Sequence, residues 1–266
     1  GNVSVLADGS SYANAKIEDS AISVGLLSVG LTILYADASG DFKAYIDTTG
    51  GAVYAASILV DNDYTAKANA ETTQAAGGVT VEAVDIEGNI ATSVVTTNAE
   101  AAIKGNGTIS TTETIQVDAN GIADALSGVM TPTVSLSGIK IAANILTSKL
   151  AAVQKAYIEN VTITNAGDVT VISTLNNASE PGARAILGSA AQGLEGIDIS
   201  FISGTANTAT ATAKAVNYAY VAGASITQAE DLAVTAAGSS RAVADISQGA
   251  LSAGYVSIGV SVLYAY

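Results

Sequence analysis

The chain has 266 residues, and its composition excludes several classes of chemistry. It contains no Cys, His or Trp, which rules out disulfides, imidazole-based catalytic triads and the usual zinc sites. Ten basic residues stand against 24 acidic ones, and a net charge of −14 repels nucleic acid and anionic lipid headgroups. Neither nucleic acid nor a membrane is therefore an expected partner.

The first elements of the chain have the period of a β-strand. Ala13, Ala15 and Ile17 alternate with polar neighbours, which predicts a strand with small side chains facing inward. The apolar run at 21–36 covers 16 residues, fewer than the roughly 20 that a membrane helix needs, and its β-branched content favours a buried strand. The same alternation returns at 65–71 and 209–216.

The next feature, Asp61-Asn62-Asp63, is the densest group of oxygen ligands in the sequence. Carboxylate and amide oxygens bind Ca²⁺, so Ca²⁺ is the one cofactor that the sequence admits, with Asp61 and Asp63 as candidate ligands. The alternative is a solvated turn between two strands. No cluster of acids or bases marks a polysaccharide-cleaving groove, and we therefore predict no catalytic residue and no enzyme.

A short motif marks four positions along the chain. One or two turn residues precede an apolar-polar-apolar triplet, which indicates a tight corner that leads into a strand. The copies lie at irregular intervals, at 1–5, 77–81, 167–171 and 230–234. A second element, Ala-Tyr-Ile or Ala-Tyr-Val, recurs around Tyr45, Tyr157 and Tyr220.

The first stretch of the chain returns near its end. Residues 1–36 align without a gap with residues 230–265, and 16 of the 36 positions are identical. Such self-similarity is typical of stacked-repeat proteins. The first copy continues into 37–40, whereas the last is followed only by Tyr266. We therefore expect either a piece of a longer array or a subunit whose end is completed by a neighbour.

These motifs resemble the repeats of very large bacterial surface exoproteins. The residues that carry the resemblance are Gly167-Asp168-Val169-Thr170-Val171, the Ala-Tyr-Ile elements and Ala21-Ile22-Ser23-Val24-Gly25. They are similar to repeats of filamentous-haemagglutinin-like and leukotoxin-like adhesins and of autotransporter passenger regions. The resemblance implies a right-handed parallel β-helix, secretion to the cell surface and a role in adhesion or matrix, and it transfers no catalytic residue.

We therefore predict an all-β fold, a right-handed parallel β-solenoid built from degenerate repeats in a single domain that spans 1–266. At about 20 to 25 residues per coil, an assumed family-like length, the chain would form roughly 11 to 13 coils and a rod about 50 to 60 Å long. Each interval between corner motifs would then hold three or four coils. A narrow interior accounts for Ala in place of Leu.

The expected function is structural: a self-associating, extracellular subunit of a cell-surface fibre, filament or sheath. Open sheet edges at the two ends of the rod favour a head-to-tail homopolymer. The residues expected to mediate assembly are Val3, Val5, Ile258, Val260, Val262, Tyr264 and Tyr266. The alternatives are a segment of a giant adhesin that binds surface glycans or host and matrix proteins on its lateral face, and a polysaccharide-degrading enzyme.

Overall fold

The computed structural model describes residues 1–19, 23–74, 78–130, 133–176, 182–188, 196–247, 250–253 and 255–266. These ranges contain strands and no helix, in agreement with the all-β prediction. Ala21, Ile22 and Gly77, which belong to the sequence motifs, lie outside the described residues. The strands in chain order are β1 Val3–Asp19, β2 Ser23–Asp47, β3 Ala52–Ala55, β4 Ile58–Gln74, β5 Gly78–Lys104, β6 Thr108–Thr111, β7 Ile115–Met130, β8 Thr133–Glu159, β9 Thr162–Asn165, β10 Val169–Leu175, β11 Ala183–Gly188, β12 Gly196–Ala222, β13 Ser225–Ile226, β14 Leu232–Gly238, β15 Ala242–Ser247, β16 Ala250–Ala253 and β17 Val256–Ala265.

The chain visits three parallel sheets in turn. Sheet A has the order β1-β4-β7-β10-β14, with β11 and β15 alongside. Sheet B has the order β16-β12-β8-β5-β2, with β17 also paired to β12, and the short sheet C has the order β13-β9-β6-β3. Each passage through A, B and C places a strand directly on the previous one, which is the arrangement of a β-solenoid.

The coils are more than twice as long as predicted. Val3, Ile58, Ile115, Val169 and Leu232 are register partners in sheet A, so each step from one of these residues to the next is a full coil. The predicted coil length is therefore wrong, and with it the predicted number of coils and the predicted length of the rod. The stack has five layers and is about 20 Å high at ~4.8 Å per step.

The corner motifs do not all occupy one position. The copies that begin at Gly1, Gly167 and Glu230 lead into β1, β10 and β14, which lie in one column of sheet A. The copy at 77–81 instead opens β5 in sheet B. The interval between the last two copies is therefore one coil, not three or four.

The interior between sheets A and B is built from small side chains. Ala66, Ala68 and Ala70 of β4 belong to one buried cluster with Ala91 and Val95 of β5. Alanine faces let two long sheets approach closely, as the sequence predicted. A second cluster holds larger residues, among them Ile58, Ile103 and Ile109, where sheets A, B and C meet.

Polar side chains also lie in the interior, among the small apolar residues. Asn62 is fully buried and its Nδ2 donates to the carbonyls of Phe42 and Glu100 at 2.7 and 3.0 Å. Asn144 joins the layers above and below, since its Oδ1 accepts from Asn89 at 2.9 Å and its Nδ2 donates to Asn207 at 2.8 Å. The Nδ2 of Asn62 and both polar atoms of the Asn144 amide find partners in neighbouring strands, which offsets part of the cost of removing these amides from water.

The corners after sheet B use left-handed backbone. Gly105, Asn160 and Gly223 follow the last residues of β5, β8 and β12, which are register partners, and their φ angles are 123°, 58° and 59°. Glycine adopts positive φ without a steric penalty, and asparagine tolerates it better than most residues. The chain therefore leaves sheet B at the same point in three successive coils.

Candidate assembly surfaces

Two of the predicted assembly residues lie in the first layer of the stack. Val3 and Val5 belong to β1, the edge strand of sheet A, and pair with Ile58 and Val60 of β4. The Val3 N–H donates to the Ser57 carbonyl at 3.0 Å. Among the described strands β1 pairs with β4 alone, so its other edge is an open row of backbone donors and acceptors.

The other predicted assembly residues lie at the opposite end, in sheet B. Ile258, Val260, Val262 and Tyr264 belong to β17, which pairs with β12. Tyr266 follows it: its N–H donates to Ala211 at 2.9 Å, its carbonyl accepts from Ala213 at 2.8 Å, and its ring stacks with that of Tyr264. These residues occupy the last layer.

The strand order determines which strands would meet if copies stacked in register. Sheet A begins with β1 and ends with β14, whereas sheet B begins with β2 and ends with β17. An axial contact therefore joins β17 to the next copy's β2, and β14 to its β1. The residues predicted from the sequence belong to β1 and β17 and leave out β2 and β14, although the alignment of 1–36 with 230–265 contains all four strands.

The outer surface of sheet B carries a broad apolar patch, which we call the apolar face. It comprises 24 outward register positions of β2, β5, β8, β12 and β17. Nineteen of these positions hold Val, Leu or Ile, the rest are Ala, Gly or Thr, and none is charged. The rows across the strands are Val24-Val81-Leu136-Ile199, Leu27-Val84-Ile139-Ile202-Val256, Val29-Ile86-Ile141-Gly204-Ile258, Leu31-Gly88-Ala143-Ala206-Val260 and Ile33-Ile90-Ile145-Thr208-Val262.

These side chains are accessible in the middle of the sheet as well as at its edges. Leu27 is 65 % exposed and Ile258 is 65 % exposed in the two outer strands, and Ile141 in the central strand is still 50 % exposed. The predicted assembly residues Ile258, Val260 and Val262 belong to this face. Their side chains therefore point sideways from the stack, and only their backbone is available for an axial contact.

The same strands become polar ten residues further along. One row of outward positions there is Ser39-Thr96-Ala151-Lys214. A second row, four residues further along each strand, is Lys43-Glu100-Lys155-Tyr218. Glu100 Oε1 accepts from Lys104 Nζ and from the Tyr157 hydroxyl, each at 2.7 Å. Partial burial alone would raise the pKa of Glu100, but these two hydrogen bonds outweigh it and hold that pKa below its usual value.

Asp61 and Asp63 lie in the middle of β4 and not in a turn. Asn62 between them points into the core. Both carboxylates face outward on sheet A, where Asp61 is the register partner of Asp118 and Asp63 that of Asp8. Burial, and after it the charges of Asp63 and Asp118, raise the pKa of Asp61. The arrangement is a strip of mutually repelling carboxylates on a sheet surface.

The Ca²⁺ site expected at Asp61 and Asp63 stays a prediction. Across the ranges that the structure describes, no three His, Cys, Asp or Glu side chains are grouped so as to hold a metal ion. The alternative of a solvated turn is wrong, because both residues lie inside β4.

Comparison with known proteins gives no family for this chain. Neither a protein-family model, nor a curated protein, nor a solved structure matches it. In the described residues no helix is long and apolar enough to cross a membrane.

Proposed function

We propose that this chain is a structural β-solenoid that assembles head to tail into an extracellular filament or sheath. The observation that carries the proposal is the pair of open ends: β1 and β2 expose one edge of sheets A and B, and β14 and β17 expose the other. Sheets A and B are parallel, so a second copy placed on the end continues them with the same strand direction.

The register supports a repeat of four coils. Val3 and Leu232 share one column of sheet A, and Leu27 and Val256 share one column of sheet B. Both pairs have the same separation along the chain, which equals the offset of the alignment between 1–36 and 230–265. A right-handed solenoid of degenerate repeats, similar to those of large bacterial surface exoproteins, is compatible with this pattern, and on this proposal the protein lies at the cell surface.

The axial contact is tested by a proline on the open edge of β17. Tyr266 directs both its backbone groups to β12, and successive residues of a strand alternate in direction, so the N–H of Ser261 points away from β12. Ser261→Pro therefore removes one outward donor without breaking a bond inside the stack. We expect filaments to shorten at least about tenfold in electron micrographs, because a ladder interrupted in its middle cannot extend.

The matched control is Ser261→Thr, which keeps the N–H and the hydroxyl and is expected to leave filament length unchanged. Equal filament lengths for the proline and threonine variants would show that β17 is not an axial contact.

A second candidate function is glycan binding by the lateral surface of sheet B. The rings of Tyr157 and Tyr220 stack at 4.9 Å, and Tyr45 in the same row lies beneath Lys104 at 4.3 Å. Aromatic rings beside hydrogen-bonding groups suit sugars. A glycan array separates the two functions, because a fibre subunit gives no selective hits whereas a lectin-like surface loses its hits in Tyr220→Ala.

A further inference from the structure

The apolar face reverses the usual polarity of a solvated sheet. In this part of sheet B most outward residues are Val, Leu or Ile, whereas the side chains of Glu82 and Asp85 on the other surface are buried. Asp85 lies 3.7 Å from Lys140 there. A sheet in contact with water on its outer side would show the opposite pattern. Exposed apolar patches of this extent, rimmed by polar residues, mark interaction surfaces.

The size of the face matches one half of a stable protein interface. It extends over ten residues of each strand and five strands, or about 33 Å by about 20 Å to 24 Å at the spacings of a β-sheet. The area at those spacings is about 700 to 800 Å². Two such faces in contact would bury about 1,400 to 1,600 Å², which is the range of a specific, stable interface.

The charge pattern favours a second copy of this chain over other partners. Two molecules of net charge −14 repel each other over most of their surface. On the apolar face none of the 24 positions is charged, so two copies meet there without burying like charges. The same net charge disfavours anionic lipid as the occupant.

The relief of the face suits the packing of one sheet on another. Its fourth row, Leu31-Gly88-Ala143-Ala206-Val260, is low in the middle, whereas the rows on either side carry Ile86 and Ile141, and Ile90 and Ile145. Facing sheets pack about 10 Å apart with interdigitated side chains. A shallow strip beside rows of isoleucine receives the isoleucines of a facing copy.

We propose that the apolar face of sheet B is a lateral interface that pairs two copies of this chain face to face. The pairing is independent of the head-to-tail contact, because it uses side chains on the flank of the stack and not the backbone of its end strands. In a filament it joins two parallel rows of subunits into a ribbon.

The test introduces charges into the central row of the face. The variant Val29→Lys, Ile86→Glu, Ile141→Lys places alternating charges on three neighbouring strands, so that they pair with one another on the sheet surface. The control Ser39→Lys, Thr96→Glu, Ala151→Lys makes the same charge change ten residues further along the same strands. That control row already carries Lys214.

The molar mass in solution is measured by light scattering from 1 µM to 1 mM, with the parent and both variants carrying Ser261→Pro so that head-to-tail growth is suppressed. We expect the parent and the control to form dimers of the 26.3-kDa chain. The face variant is expected to dimerise at least about a hundredfold more weakly, because burying its charges costs free energy. In filaments the face variant halves the mass per length without shortening them, whereas Ser261→Pro shortens them without changing the mass per length.

A second measurement does not depend on the stability of the charged variant. The chain has no cysteine, so Ala143→Cys on the face and Ala151→Cys outside it each provide one thiol. A short bismaleimide is expected to cross-link Ala143→Cys into dimers and to leave Ala151→Cys monomeric. The proposal is overturned if the parent does not pair at 1 mM, if both charge variants pair equally, if both cysteine variants cross-link equally, or if the parent binds phosphatidylcholine vesicles instead of itself.

Discussion

Single residues in the interior specify how the layers align. Asn89, Asn144 and Asn207 are register partners in three successive layers and form a chain of side-chain hydrogen bonds. A shift of one strand by one residue would turn these amides outward and leave their partners unsatisfied. Alanine and valine cores alone provide little of this specificity, because many alignments of small apolar side chains pack comparably.

Asn144→Ala is expected to destabilise the fold by about 1–3 kcal/mol, because the Oδ1 of Asn207 and the Nδ2 of Asn89 each lose a partner in the interior. The measurement is urea denaturation followed by circular dichroism. The control is Asn98→Ala, an exposed position on the outer surface of the same sheet, for which a change below about 0.5 kcal/mol is expected. Equal costs for the two variants would contradict a structural role of the asparagine ladder.

Some glycines inside the strands are required by packing across the core. Gly121 lies inside β7 because a Cβ there would collide with the ring of Tyr64, and Gly9 in β1 leaves room in the same way for Phe42. These glycines make space for an aromatic ring across the core and do not mark turns. From the sequence alone such glycines cannot be told from glycines at corners.

The long neighbouring strands of sheet A bring carboxylates together on its outer surface. Asp61 and Asp118 are partners on neighbouring strands, and an Oδ1 atom of each is buried without a hydrogen bond. Burial is the main cause that raises the pKa of both carboxyls. The native state therefore binds protons more readily than the unfolded chain at these positions.

The sign of the resulting pH dependence is fixed by these shifts. The native pKa of Asp61 lies above the unfolded value of 3.8, so stability rises as the pH falls through the native pKa towards 3.8. Asp61→Asn is expected to raise Tm at pH 7 and to lose this advantage near pH 4. Thermal denaturation at several pH values measures the difference in Tm between this variant and the parent. The control is Asp41→Asn at an exposed position, because its register partner in the next layer, Asn98, is already an asparagine. A Tm for Asp61→Asn below that of the parent at pH 7 would refute this account.

The sequence correctly predicted that inward and outward side chains alternate along the strands. The inward alanines at 66, 68 and 70 and at 209 and 211 are buried as expected. The apolar run at 21–36 was expected to be a buried strand, yet from Val24 to Ile33 its large side chains are exposed. Periodicity identifies two faces but not which one has a partner, because that depends on how far sheet A extends over sheet B.

Coil length and the layout of the whole molecule could not be read from the sequence. The strands of sheet C are short, with four residues in β6, whereas β5, β8 and β12 each run for 27 residues across several motifs that resemble turns. The alignment of 1–36 with 230–265 did contain the decisive information, since its two copies fall in the same columns of sheets A and B. The number of coils between them required the strand pairing.

The whole molecule is a short stack, wide and only five layers high, with two open ends and one apolar flank. On this account both features lead to assembly, the ends through backbone hydrogen bonds and the flank through side-chain burial. Either contact alone would leave the other surface exposed.

Head-to-tail assembly is tested by cryo-electron microscopy of the chain at high concentration. We expect unbranched filaments with a spacing of about 4.8 Å along the axis, strands perpendicular to that axis, and β17 of one subunit beside β2 of the next. Particles that remain single short stacks, or filaments in which the strands run along the axis, would contradict head-to-tail assembly.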